Sequence, residues 1–349
     1  MNLTINTSPE FTKQYSTKLA DYVTALAWSP QGEILAASSA AGEVVLWKND
    51  ELITLQSATD KAVNCLAFSH DGKYLAIGGQ DGKVKIWCEN KLITTLENAP
   101  VWVDQLAWNH TSNQLAFSLG RYVQIWDADT SEIVVTLTFN DYSILGIDWR
   151  KDGKYLAING YKGVKVWSTQ DWNQEPFILS MSTVSTAIAW SSDGEYLASG
   201  NMDRTLTVLQ WENPDPWVMR GFPGKIRHLA WSELKTSTGA PLLAVSSVEG
   251  IVLWEKSADE SVGWEAQVLT NHVDIIQAIS FAPQSFILAS AAADGWLCLW
   301  DENKEVSQIF TDTLAGFSTL SWHPQGQLLA AGGEQGELIV WSTPLRNMD

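Results

Sequence analysis

Along this chain apolar and polar positions alternate in short runs, each closed by Gly, Asp-Gly or Ser-Pro. No segment carries the spacing of an amphipathic helix. One phrase, an apolar strand ending in an aromatic, keeps returning. It reads "VTALAWSPQG" from Val23, "VNCLAFSHDG" from Val63, "VDQLAWNHTS" from Val103 and "ILGIDWRKDG" from Ile144. It returns as "STAIAWSSDG" from Ser185, "IRHLAWSELK" from Ile226, "IQAISFAPQS" from Ile276 and "FSTLSWHPQG" from Phe317. Its aromatic falls at Trp28, Phe68, Trp108, Trp149, Trp190, Trp231, Phe281 and Trp322, spaced by 40 or 41 residues except for one gap of 50. A second phrase follows each time: Leu-Ala-small-small, a tight turn, then an alternating strand ending in Trp, as in "YLAIGGQDGKVKIW". In the fifth copy Leu209 holds the place of that Trp, and Trp211 follows two residues later.

Each copy therefore predicts three strands, and segments such as "ELITLQS", "EIVVTLTF" and "EVSQIF" supply a fourth between copies. Small twisted antiparallel sheets in tandem cannot bury their faces alone, so they stack around an axis. The pattern predicts an all-β fold: an eight-bladed β-propeller of four-stranded antiparallel blades, one domain over residues 1–349. Blades are expected near 23–58, 63–98, 103–139, 144–181, 184–220, 226–270, 275–311 and 317–341. The last copy lacks an outer strand after Trp341, while "FTKQYST" (residues 11–17) stands unclaimed in the matching slot before the first. The N-terminal strand is expected to join the last blade and close the ring. The Trp ending each third strand is expected to fill the space between neighbouring blades.

Charge narrows the choice of partners. The formal net charge is −18, and Glu175 to Asp349 carries 21 Asp and Glu against 8 Lys and Arg. Such acidity repels phosphate backbones and anionic lipid and favours a basic segment on a protein partner. No nucleic acid and no membrane insertion are expected, and the chain is expected to be a monomer. Three cysteines cannot build a disulfide framework. The opening "MNLTINTSPEFTKQ" lacks the basic and apolar regions of an export signal, so the expected location is cytoplasmic.

The eight phrases in phase resemble the WD40-repeat family, in a divergent, bacterial-type form. Only Trp126-Asp127 and Trp300-Asp301 spell the literal dipeptide. The resemblance implies a buried structural tetrad of His, Ser, Asp and Trp, and the seventh copy alone matches it in full, at His272, Ser290, Asp294 and Trp300. It also implies that partners dock on the face bearing the loops into the first strands and the turns between second and third strands. The aromatic, Met and Arg anchors there are Tyr22, Trp102, Arg121, Tyr122, Tyr142, Tyr161, Met202, Arg204 and Phe222. Several belong to copies three, four and five, which predicts one patch.

Reactive constellations do not emerge. "GGQDGKV" at Gly78 leads into a strand and reads as a hairpin turn, not a phosphate loop. "DADTSE" at Asp127 has Glu132 where a calcium loop needs Gly. His70, His110 and His323 fall in turns of different copies and do not converge as metal ligands would. Eight-bladed quinone-cofactor dehydrogenases share richness in Trp, but their repeat and calcium site are absent. No catalytic residue, metal site or cofactor is expected. The sequence thus reads as a non-catalytic scaffold or adaptor that binds a protein or peptide within a multiprotein assembly. The alternative is a small-molecule, metal or cofactor site in the central channel, with or without catalysis.

Overall fold

The computed structural model describes residues 10–139, 142–213 and 215–343. The rest of the expected domain, including most of the stretch read for an export signal, lies outside the described residues. Every regular element among them is a β-strand, so no helix there is long and apolar enough to cross a membrane.

The strands form antiparallel sheets whose order follows the chain. In the first repeat Val23–Trp28, Leu35–Ser39, Val44–Lys48 and Glu51–Gln56 lie side by side from axis to rim. The first strands then follow one another round the axis, and that of the last repeat, Phe317–Trp322, returns against Val23–Trp28. Thr12–Lys18 pairs with Glu337–Ser342, from Thr12 opposite Ser342 to Lys18 opposite Glu337, so the chain's first strand is the outermost strand of its last sheet.

The blade count differs from the sequence expectation. There are seven hydrogen-bonded sheets, six of four strands and one of six, so the expected eight separate four-stranded blades are corrected to seven blades. The six-stranded blade unites repeats four and five. Its strands Tyr155–Ser168 and Phe177–Trp190 are each 14 residues long and run through points where other repeats turn. The link "SMSTVST" has no Gly or Pro and three β-branched residues, so nothing breaks the strand between repeats. Tyr161 pairs with Val184 across this junction, and the register slips between Tyr161 and Gly163.

The core lies as apolar slabs between consecutive repeats. Ala36, Val44 and Leu46 of repeat one meet Leu66, Leu75 and Ile77 of repeat two. The last slab joins Val340 and Leu338 to Val23 and Leu35. Even repeats four and five pack face to face, through Ala157, Val164, Leu197 and Leu209. The small-small phrase now has a reason, because the next repeat's first strand inserts an apolar residue there. A Cβ on Gly332 would lie 2.4 Å from Val23 Cγ1, and one on Gly200 would lie 2.3 Å from Ile226 Cγ2.

Two sets of tryptophans serve the slabs. Those ending third strands, such as Trp126, Trp300 and Trp341, are buried fillers. Those ending first strands also stitch neighbours together. The Nε1–H groups of Trp28, Trp108, Trp149, Trp231 and Trp322 donate to the carbonyls of Ser321, Ala67, Ala107, Ala189 and Ser280, at 3.0–3.2 Å. Each acceptor belongs to the preceding repeat. At the fused blade the stitch changes: the Trp190 backbone N–H donates to Asp148 Oδ2 at 2.7 Å, and the Trp190 indole N–H has no partner among the described residues.

The seventh repeat adds one polar network. His272 Nδ1 lies 3.0 Å from Asp294 Oδ2, its Nε2 lies 2.8 Å from Ser290 Oγ, and Trp300 Nε1–H donates to Ser290 Oγ at 2.9 Å. Burial holds the imidazole below its ordinary pKa although Asp294 pulls the other way. A neutral ring that donates to Asp294 and accepts from Ser290 satisfies every member.

Two outcomes follow from this packing. Phe11 is 5% exposed, meets Trp322 edge-on at 5.6 Å, and is held at both backbone groups by the Gln308 side chain. Phe11→Ala should lower unfolding free energy by about 3–5 kcal/mol in denaturant titration, while exposed Ile178→Ala stays within about 0.5 kcal/mol. Burial pushes the Asp148 carboxyl from 3.8 up to about 7. A raised acid favours the folded state fully below its ordinary pKa, and that contribution is lost as pH rises through the folded value. Asp148→Asn keeps an acceptor for Trp190. The variant should match the parent in urea midpoint near pH 4, exceed it increasingly between pH 4 and about pH 7, and keep a constant excess above that.

Candidate functional site

Connectivity places the loops into first strands and the turns between second and third strands on one face. Backbone bonds run across that face through repeats three to five. Ile144 N–H donates to Gly120 O and Phe139 N–H to Arg121 O, both at 2.9 Å, tying the loop into repeat four to the turn of repeat three. Met202 N–H donates to Val184 O at 2.9 Å, and Val184 pairs with Tyr161.

On this frame Trp102 is 52% exposed, and Tyr142 and Met202 are each 46% exposed. The Tyr142 and Tyr161 rings lie 4.1 Å apart between centroids, and Lys162 Nζ stands 5.6 Å from the Tyr161 ring. Arg121 Nε–H donates to Tyr122 Oη at 3.0 Å, its guanidinium over that ring. Trp102, Arg121, Tyr122, Tyr142, Tyr161, Met202 and Arg204 thus share one arc of the face. Two expected anchors do not join them. Tyr22 lies in repeat one, where burial and the Glu334 carboxylate push its phenol pKa up. Phe222 is buried against Trp254, with rings 6.2 Å apart, and belongs to the core.

Two exposed apolar residues complete the arc that sequence reading missed. Val101 is 39% exposed, next to Trp102 and 3.7 Å from where a Gly120 Cβ would sit. Leu145 is 40% exposed at the second position of its first strand. The other repeats carry Thr24, Asn64, Asp104, Thr186, Arg227, Gln277 and Ser318 at that position. An apolar residue where every other copy is polar was the available signal.

Two longer segments, "SELKTSTGAP" from Ser232 and "EKSADESVGWE" from Glu255, pack onto repeat five. Lys235 reaches Asp193 at 2.9 Å, and Trp264 packs against Tyr196 at 5.4 Å. No group of three or more His, Cys, Asp or Glu that could hold a metal occurs among the described residues. The three cysteines are free, and burial pushes the Cys298 thiol up to about 12, far from a reactive thiolate.

Comparison with known proteins agrees with this architecture. The WD40 family profile, described as WD domain, G-beta repeat, matches residues 11–48, 49–88, 180–208, 263–301 and 305–342, together just over half of the chain. Its first match begins at the strand that closes the ring. The B-type cell cycle switch protein ccs52B of Medicago truncatula is 24% identical over 217 residues, 60% of this chain and 43% of that protein. The anaphase-promoting complex subunit cdc20 of Dictyostelium discoideum is 24% identical over 218 residues, 60% of this chain and 42% of that protein. Protein HIR1 of Cryptococcus neoformans is 36% identical over 86 residues, 23% of this chain and 10% of that protein. The chain spans less than half the length of these curated relatives, which are eukaryotic where the sequence suggested a bacterial-type form. With its tandem sheets, closing strand and matched repeats, the chain belongs to the WD40-repeat family.

Proposed function

We propose that this protein is a non-catalytic adaptor that binds a protein or peptide within a multiprotein assembly, docking it on the aromatic arc of repeats three to five. The observation that carries the reading is the continuity of that arc. Val101, Trp102, Tyr142, Leu145 and Met202 expose apolar surface on neighbouring loops held by the backbone bonds described above. Rigid aromatic anchors on a fixed frame lose little conformational entropy when covered, the property that makes binding hot spots. The names of two relatives, a cell cycle switch protein and an anaphase-promoting complex subunit, are consistent with work inside an assembly. Family membership supports a binding role over a catalytic one.

The test is affinity capture followed by titration of each captured partner. The double variant Trp102→Ala, Tyr142→Ala should weaken the partner by at least about 30-fold with an unchanged unfolding midpoint. Leu92→Ala, on the outer strand of repeat two, should bind as the parent does. A partner that binds the double variant as tightly as the parent removes the arc from the interface.

A further inference from the structure

The loops and turns of this face divide by charge, and the division runs against the net charge of the chain. Repeats three to six present Arg121, Lys162, Arg204, Arg220, Lys225 and Arg227, all exposed but the last, which is half-buried. Four of these belong to the eight basic residues of Glu175 to Asp349, so half the cations of the most acidic stretch gather here. The acids among them are Asp104, Asp203 and Glu249, with Asp141 added by sequence. The remaining repeats present Asp21, Glu43, Asp81, Asp274, Glu334 and Glu337 on the same loops and turns, offset by Lys18, Lys61 and Lys83. Asp81 is already paired with Lys85, whereas Lys162, Arg204, Arg220, Lys225 and Arg227 form no ion pair among the described residues.

Backbone conformation marks the same repeats independently. The second turn of every repeat has a residue at positive φ, and in five repeats it is glycine: Gly42, Gly82, Gly120, Gly295 and Gly336. In repeats four, five and six, Lys162, Arg204 and Val248 stand there at φ 69°, 67° and 55°. An L side chain is strained in that region and glycine is not, so these turns keep their side chains against the backbone's preference. Beside the repeat-six turn a groove of about 550 Å³, lined by Arg220, Phe222, Glu249, Val252, Trp254 and Val268, offers room for one large apolar side chain.

From these observations we infer that the segment received by this face is acidic and carries large apolar side chains. It lies across the aromatic arc, with its carboxylates toward Lys162, Arg204 and Arg220. This rests on the docking surface proposed above and adds the chemistry of its occupant. Net acidity by itself pointed to a basic segment, but binding responds to local charge, and cations outnumber acids on these loops and turns. A nucleic-acid backbone shares the negative charge, yet a long polyanion would also cross the acidic half of the face.

Phage-displayed peptides selected on the intact protein test the inference, with fluorescence anisotropy on the enriched sequences. Acidic sequences with aromatic or aliphatic residues should be enriched, and added salt should weaken them. The double variant Arg204→Gly, Arg220→Ser should bind them about tenfold more weakly or worse. Its unfolding midpoint should not fall, because glycine suits the turn at position 204. Enrichment of basic or uncharged sequences, no enrichment, indifference to the double variant, or preference for a single-stranded oligonucleotide would each overturn the inference. If basic peptides are enriched yet still need Trp102 and Tyr142, the charge inference falls and the docking surface stands. If enriched peptides ignore Trp102 and Tyr142, the docking surface itself falls.

Discussion

Everything in this molecule depends on the burial of one repeat's face against the next. A sheet of three or four short strands has two faces and no interior, so each apolar slab exists only because two repeats share it. The first-strand tryptophans make that sharing directional, since five of their indoles donate to a carbonyl of the repeat before. A ring built this way has no free sheet face if its last repeat meets its first. Val340 packs against Val23, and Trp28 donates to Ser321, at that meeting point. The pairing of Thr12–Lys18 with Glu337–Ser342 adds a backbone ladder across it, coupling the two ends of the chain.

The same constraint frees the loops. With stability held in slabs and ladders, the face that bears the first-strand loops and second turns can vary without cost to the core. The matched family segments leave residues 89–179 and 209–262 outside them, and these contain Trp102, Arg121, Tyr122, Tyr142, Leu145 and Tyr161. Repeats four and five are also where the sheet is fused, and with repeat six they hold a non-glycine residue at positive φ in the second turn. Departure from the repeat pattern and the candidate interface thus coincide, as expected where local preference yields to function.

Much of the architecture was legible because eight copies in phase average out the ambiguity of any one. The closing strand could be found from an unpaired Leu338–Trp341 and an unclaimed "FTKQYST", a matter of counting slots. The blade count misled because a repeat in sequence and a sheet in space are different objects. The copies report spacing, whereas sheet membership depends on whether the backbone between Met181 and Val184 turns away or keeps pairing. The candidate site was legible in part. Trp102, Tyr142 and Met202 could be placed on one face by topology, but Phe222 could not be distinguished from them until its ring was seen against Trp254.

By itself the sequence determined the repeat, the strand content, the closing strand and which loops and turns share a face, since these follow from periodicity and chain connectivity. Only tertiary structure decided that repeats four and five share a sheet and that Phe222 is core while Leu145 is surface. It also decided that the cations of repeats three to six gather on an otherwise acidic molecule. These properties depend on distance through space between residues far apart in the chain. Local alternation of apolar and polar positions carries no information about that distance.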